Sequence, residues 1–332
     1  MDSPVSSIRD TALSATLLSR RALRYSAGAD AAQDRPAHVR AGSSLAWFGQ
    51  RIAVVQDDAN FVALIEPETG QVDALALPAG HGGLRQFDDR RGNKRFKLDL
   101  EACFSVPQAD GEILVMLGSG SSGRRETVAV IDAAGNTRLL PAGGLYARLR
   151  AEKAFSGGEL NVEAAVFIDG WVRLFNRGNG AWRDGVPPRD ASCDIPWPEL
   201  AAYLRDSAAQ PVPAIQNSVQ YDLGDLRGSR LTFTDAAPAP GGLLYTAAAE
   251  DSLDALTDGV VTGSAVGVID ESAGCRWIEL RNADGSLVAE KIEGICPARI
   301  GAGLIYVVVD ADDPARPSIL CAVELRGPWF SP

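Results

Sequence analysis

Short apolar runs of four to eight residues, alternating or continuous and bounded by Gly, Pro, Asp and Asn, recur along the whole chain. That spacing is the signature of β-strands rather than helices. A first group of runs covers 44–48, 51–56, 61–66 and 72–77, a second 100–106, 113–118, 127–132 and 137–140, and a fourth 231–236, 243–248, 265–270 and 276–281. Five units open on a related phrase: Ser44-Leu45-Ala46, Leu100-Glu101-Ala102, Val162-Glu163-Ala164, Thr234-Asp235-Ala236 and Ile292-Glu293-Gly294. A short turn and a second apolar strand follow each phrase, over 51–56, 112–118, 170–175, 242–248 and 303–309, and each of these strands runs into a polar loop. Asp110-Gly111, Asp169-Gly170 and Asp284-Gly285 are hairpin turns by composition.

Four-stranded units repeated in this way predict an all-β chain, a five-bladed β-propeller that takes in residues 1–332 as one domain. The third unit is enlarged by an insertion at about 176–211, with Pro187, Pro188, Pro196 and Pro198, a helix over 199–209 and a strand over 212–223 after it. If that unit hides a further sheet, the ring is six-bladed instead. Another helix is expected over 145–154. The fifth unit, 288–297, 303–309 and 318–325, lacks an outer strand. The N-terminal run 12–23 is predicted to supply it, which would close the ring and cover an open sheet edge.

The balance of 32 basic against 43 acidic residues, −11 in formal charge, argues against duplex nucleic acid as a partner. No run approaches the roughly 18 apolar residues of a membrane span. Arg9, Asp10, Arg20, Arg21 and Arg24 interrupt the first 25 residues, and no secretory signal is read there. The five cysteines are widely spaced with no CxxC pair, which argues against zinc and for buried free thiols in a reducing, cytoplasmic setting.

The first strand of each propeller blade lines the central channel, so the five phrases bring Ser44, Glu101, Glu163, Asp235 and Glu293 toward one mouth of it. Carboxylates so gathered need raised pKa values or a cation. A hard cation with oxygen ligands answers this, Ca²⁺ by its tolerance of loose many-ligand geometry, with Mg²⁺ as the alternative. The segments leading into the units carry Arg35, Arg40, Lys94, Arg95, Lys97, Arg230 and Lys291, and Arg177 and Asn179 close a second strand. An acidic centre with a basic rim suits an anionic small molecule, a phosphoester or carboxylate, bound by Arg40, Lys97, Arg177, Asn179 and Lys291. Arg177 and His38 are the candidates for a direct part in chemistry.

A serine in the first unit with acidic or hydroxyl residues in the later four resembles the calcium-activated nucleotidases (apyrases). Lys291-Ile292-Glu293-Gly294-Ile295 and Val55-Gln56-Asp57-Asp58 are similar to their phrases. The resemblance covers the scaffold from about Ser44 to Asp310 and implies a five-bladed propeller with Ca²⁺ on its axis. The chain resembles still more an uncharacterised bacterial family of unknown function, through the stretch Asp34-Arg35-Pro36-Ala37-His38-Val39-Arg40-Ala41-Gly42-Ser43, Gly92-Asn93-Lys94, Lys97-Leu98-Asp99-Leu100-Glu101-Ala102 and Arg177-Gly178-Asn179-Gly180. That likeness implies a fold and no activity. Three functions fit the pattern: a metal-dependent hydrolase of phosphoesters or phosphoanhydrides, a non-catalytic scaffold with a structural axial metal, and a lactonase- or esterase-like calcium propeller.

Gly118-Ser119-Gly120-Ser121-Ser122-Gly123 spells a dinucleotide fingerprint, but 124–132 reads as a strand where such a site needs a helix. Asp310-Ala311-Asp312-Asp313 lacks the Gly and terminal Glu of a calcium loop.

Overall fold

The chain is all-β, mostly strand, with a few short helices; the computed structural model describes residues 3–251, 260–270 and 274–330. The polar loop expected at Glu250-Asp251-Ser252 runs into residues outside that set. The first unit is β4 (Gly42–Phe48), β5 (Arg51–Gln56), β6 (Phe61–Ile65) and β7 (Val72–Ala76), after β1 (Val5–Ser6), β2 (Ile8–Arg9) and β3 (Ser14–Ala22). The second is β8 (Leu100–Gln108), β9 (Gly111–Gly118), β10 (Thr127–Ile131) and β11 (Thr137–Pro141). Helices α1 (Gly143–Ala151) and α2 (Lys153–Ser156) lead to β12 (Val162–Ile168), β13 (Trp171–Asn176), β14 (Asp190–Pro196), α3 (Trp197–Arg205) and β15 (Gln216–Asp222). Then come β16 (Asp225–Leu226), β17 (Ser229–Ala239), β18 (Gly242–Asp251), β19 (Val260–Asp270) and β20 (Gly274–Asn282), and finally β21 (Ile292–Pro297), β22 (Leu304–Val309) and β23 (Ile319–Arg326). No helix of the described residues is long and apolar enough to cross a membrane.

Within each unit successive strands pair antiparallel in chain order. The enlarged third unit holds one sheet, not two, in the order β1-β15-β14-β13-β12. Its third strand lies inside the Pro-rich stretch expected to be loop and helix, because Pro187, Pro188 and Pro198 lie outside Asp190–Pro196 and Pro196 is its last residue. Residues 190–195 of that strand are fully buried, and it pairs with β13 and β15.

The first strands pack side by side in a closed circuit: β4 on β8, β8 on β12, β12 on β17, β17 on β21, and β21 back on β4. Small residues let them approach. A Cβ on Gly294 of β21 would stand 2.9 Å from the Leu45 Cγ and 3.1 Å from the Leu45 nitrogen of β4. Each first strand also carries one β-bulge near its start, where pairing with the second strand skips a residue: Ser43, Glu101, Glu163, Thr234 and Glu293. A bulge leaves its extra residue outside the ladder and re-aims its side chain.

The N-terminal segment straps three units together. β1 pairs parallel with β15, β2 parallel with β20, and β3 lies between β20 and β23, antiparallel to the latter from Ser14↔Arg326 to Ala22↔Ile319. Through β3 the fourth and fifth units share one continuous ten-stranded sheet. Leu17 of β3 sits in the core with Leu280, Val307 and Val323 at 6% exposure, whereas its neighbour Leu18 is 53% exposed. Leu17→Ala should therefore destabilise the protein by about 2–5 kcal/mol, while Leu18→Ala stays within about 0.5 kcal/mol. Urea midpoints of the two variants against wild type test this.

Candidate functional site

A cavity of about 470 Å³ opens at the end of the ring where the second strands run out. Eleven carboxylates and six Lys or Arg side chains line it, so it is acidic overall despite its cations. Three of the carboxylates stand at bulges, Glu101, Glu163 and Glu293, and Ser43 supplies a hydroxyl from the equivalent position of the first unit.

Ser44 and Asp235 do not join that set. Each lies one residue beyond its unit's bulge, and a shift of one residue in a strand moves a side chain to the other face. Both are fully buried beneath the cavity, where the Ser44 hydroxyl donates to Asp235 at 3.2 Å and Asp235 Oδ2 accepts the Ile295 N–H at 2.9 Å. The five residues expected to ring one ion therefore split into three that face the cavity and two that plug the axis below it. The fourth unit presents Thr234 at its bulge, and its hydroxyl is spent on Thr246 at 3.0 Å.

The closest gathering of metal-type ligands among the described residues is elsewhere in the same cavity. Carboxylate oxygens of Asp57, Asp99 and Glu101 all lie within 4.8 Å of one another. Asp57 follows β5, and Asp99 takes a left-handed conformation, φ 58°, just before β8. Buried Lys97 bonds to Asp57 and stands 2.7 Å from Asp99 Oδ1; Arg125 lies 3.0 Å from Asp99 Oδ2, and Ser119 donates to it. Glu101 makes no hydrogen bond or ion pair among the described residues. Burial raises its carboxyl well above the ordinary value, helped by Asp99, Asp57 and Glu163. Burial also pushes Asp99 up, but Lys97 and Arg125 outweigh it and hold that carboxyl low.

The other cations are likewise committed. Arg177, 2% exposed, pairs with Glu250 through Nη2, donates to Thr232 at 3.1 Å and lies 3.6 Å from Glu163. Lys291 pairs with Glu293 through Oε1, and Glu293 Oε2 is buried without a partner. Arg40 is set behind the cavity wall, bonded to Asp58, to Asp88 at 2.9 Å and to Gln86 at 2.8 Å. Asp58 Oδ1 too is buried and unpartnered. Asn179 and Asn161 bond at 3.3 Å, and Asn161 donates to Glu163 at 2.6 Å. His38 stays outside the cavity lining, its Nε2 donating to the Pro314 carbonyl at 3.2 Å. Of the residues expected to meet an anion, Lys97, Arg177, Asn179 and Lys291 reach the cavity and Arg40 does not.

Burial also raises Glu163, opposed by Arg177 and supported by Glu293, to about 7. Asp310 is lifted well above its usual value by burial, with Asp312 and Asp57 adding to it. Burial among other carboxylates thus favours the protonated form of Glu101, Glu163 and Asp310.

The chain belongs to a family of unknown function, DUF6929, which it matches over residues 38–325. No curated protein is matched. Among solved structures it is similar to a β-1,3-galactosidase of family GH43, at 9% identity over 92% of this chain and 59% of that one, TM-score 0.49. It is also similar to an auxiliary nutrient binding protein from Bacteroides thetaiotaomicron, at 11% identity over 94% and 76%, TM-score 0.40. A third likeness is to the WD40 repeats of RRP9, at 11% identity over 86% and 67%, TM-score 0.34.

The raised Glu163 carboxyl sets a pH dependence with a definite sign. An unfolded chain loses this proton near pH 4.3, whereas the folded protein keeps it up to about 7. Stability therefore falls as pH rises through that window and levels off above it. Glu163→Gln should make the loss of melting temperature between pH 5 and pH 7.5 shallower than in wild type. An unchanged slope would mean that the carboxyl titrates normally.

Proposed function

We propose that this chain is a five-bladed β-propeller, closed by its N-terminal strand, that binds a divalent cation at one mouth of its axis through Asp57, Asp99 and Glu101. The observation that carries the reading is the approach of three carboxylates within 4.8 Å while one of them, Glu101, makes no hydrogen bond or ion pair among the described residues. Oxygen-only donors favour a hard cation. The nucleotidase-like pattern of the repeats favours Ca²⁺, with Mg²⁺ as the alternative. The closed circuit of first strands and the β3–β23 pairing support the blade count and the latch. All five cysteines are buried and unbridged, which supports a reducing compartment.

Lys97 is the competitor for the same charge. Its ammonium already neutralises Asp57 and Asp99, so an arriving cation must share those carboxylates with it, and Glu101 is the ligand it wins outright. Protons held on the raised carboxyls are released as the cation binds, which makes affinity rise with pH.

Metal-dependent hydrolysis is the second reading, favoured by the size of the cavity, about 470 Å³, far more than an ion fills. A bound cation would supply Lewis-acid polarisation and an activated water. Because Lys97, Arg177 and Lys291 are each engaged with carboxylates, an anionic substrate depends on the cation for most of its attraction. Arg177 and Asn179 then act as positioning groups along the wall.

Calorimetry and thermal melts of chelator-treated protein test the binding. Ca²⁺ at about 100 times its Kd should add on the order of 2.7 kcal/mol of stability. Glu101→Gln should remove most of that shift, and Lys97→Met, if it folds, should bind the ion more tightly. Absence of binding heat and of any melting shift in wild type for both Ca²⁺ and Mg²⁺ would overturn the proposal. Turnover of nucleoside triphosphates, an aryl phosphate, an aryl ester or a lactone that stops with chelator would establish the hydrolase reading. A bound ion without turnover would leave a scaffold or binding propeller.

A further inference from the structure

The opposite mouth of the same axis is chemically unlike the first. A cavity of about 280 Å³ opens there, walled by one short stretch from each first strand: 45–47, 103–105, 165–167, 236–238 and 296–298. The Ser44–Asp235 plug separates it from the acidic cavity. Its walls are Leu45, Trp47, Phe104, Phe167 and Pro297, and its single charged lining residue is Arg299.

The polar side chains of these walls are already engaged, and the lining residues are mostly apolar. Trp47 Nε1 donates to the Pro297 carbonyl at 2.8 Å, and Ser105 donates to the Trp47 carbonyl. Asp235 takes the inward N–H of Ile295 at 2.9 Å. The aromatic walls are also fixed in place. Phe104 and Phe167 both meet Trp197 of α3 edge-on, with centroids 6.1 and 6.0 Å apart. Arg299 lies over the Trp47 ring at 4.4 Å and bonds to the Gly49 carbonyl at 2.6 Å, with Glu112 3.9 Å away and too distant for a hydrogen bond. Its guanidinium therefore stands at the rim, hydrogen-bonded to neutral partners and only loosely paired with Glu112.

We infer that this chamber is a second binding site, for a small flat aromatic monocarboxylate whose ring enters between Trp47, Phe104 and Phe167 and whose carboxylate meets Arg299. Preformed apolar clefts with one or two fixed polar groups are the usual form of small-molecule sites. The size fits. A protein cavity of about 150 Å³ lined by Leu, Ile and Phe takes benzene, so one near 280 Å³ matches a two-ring body. The charge fits as well, because Arg299 is the charged group at the chamber's rim, where it attracts a carboxylate and repels a cation.

The test is titration calorimetry of the wild-type protein with 2-naphthoate, and with 2-naphthamide as the neutral counterpart. Saturable one-to-one binding of 2-naphthoate is expected, weakened at least tenfold by Ala298→Leu, which fills the chamber. Ala46→Leu serves as a second filling variant if the first lowers the melting temperature. Arg299→Gln should weaken 2-naphthoate at least fivefold and leave 2-naphthamide within twofold. The Trp47 contribution to any fluorescence change should vanish in Trp47→Phe. No saturable binding up to the solubility limit, or binding indifferent to both the filling and the Arg299 variants, would overturn the proposal. Ca²⁺ binding at the other mouth plays no part in either result.

Discussion

The carboxylate of Asp235 is the contact on which the ring depends. The first strand of each sheet has a free edge, and in this circuit those edges turn toward a narrow axis. Backbone N–H groups left there without partners would carry the full cost of a buried unsatisfied donor, about 1–3 kcal/mol each. Asp235 on β17 accepts the N–H of Ile295 from β21 and, at 3.4 Å, that of Leu45 from β4. Ser44, which donates to Asp235, in turn accepts the N–H of Cys103 from β8 at 3.2 Å. Two side chains thus tie four of the five first strands. Burial raises the Asp235 carboxyl well above its ordinary value, against the opposing pull of those same N–H donors. The same device recurs at Asp190, which accepts the N–H groups of Gly178 and Phe233, both at 3.0 Å, and pairs with Arg230 to join the third and fourth units.

Because this plug sits mid-axis, the ring has two chemically distinct ends instead of one channel. Above it the bulges aim carboxylates into a shared polar space; below it the strands regain regular alternation and show alkyl and aromatic side chains. The electrostatics of the upper space follow from bookkeeping alone. Three of the inward acids have a cation beside them, Lys97 for Asp99, Arg177 for Glu163 and Lys291 for Glu293, yet the acids outnumber the cations. Glu101 and Asp310 are two of the surplus carboxyls, and burial beside other acids raises both.

Much of this was readable in the sequence because the phrase that opens each unit has a steric reason to recur. A small residue after the bulge, Ala102, Ala164 or Gly294, is what lets neighbouring first strands touch. The bulge itself was not readable. Both Ser43-Ser44 and Thr234-Asp235 offer two adjacent polar residues, and nothing in the letters says which one the ladder skips. That one-residue ambiguity put Ser44 and Asp235 in the wrong chamber. Asp99 was missed as a ligand candidate although Lys97, Asp99 and Glu101 alternate with the period of a strand and so share a face. Lys291 and Glu293, and Asn161 and Glu163, repeat that spacing. The third strand of the enlarged unit escaped because prolines bracket it; their positions at its borders, where no ladder N–H is required, mark its limits instead of forbidding it.

The strap has a consequence for how the molecule is made. β3 leaves the ribosome nearly 300 residues ahead of its partner β23. Domains usually fold as they emerge, but here β3 must wait for β20 and then for β23 before both of its edges are paired. The loop closed by that pairing spans most of the chain, which slows its formation. In the interval β3 is an orphan edge. Its Leu17-Leu18 pair is followed at once by Ser19, Arg20 and Arg21, and such charges discourage an unpaired strand from adding to another chain. The residues that complete the ring are therefore also the ones that must stay soluble while they wait for it.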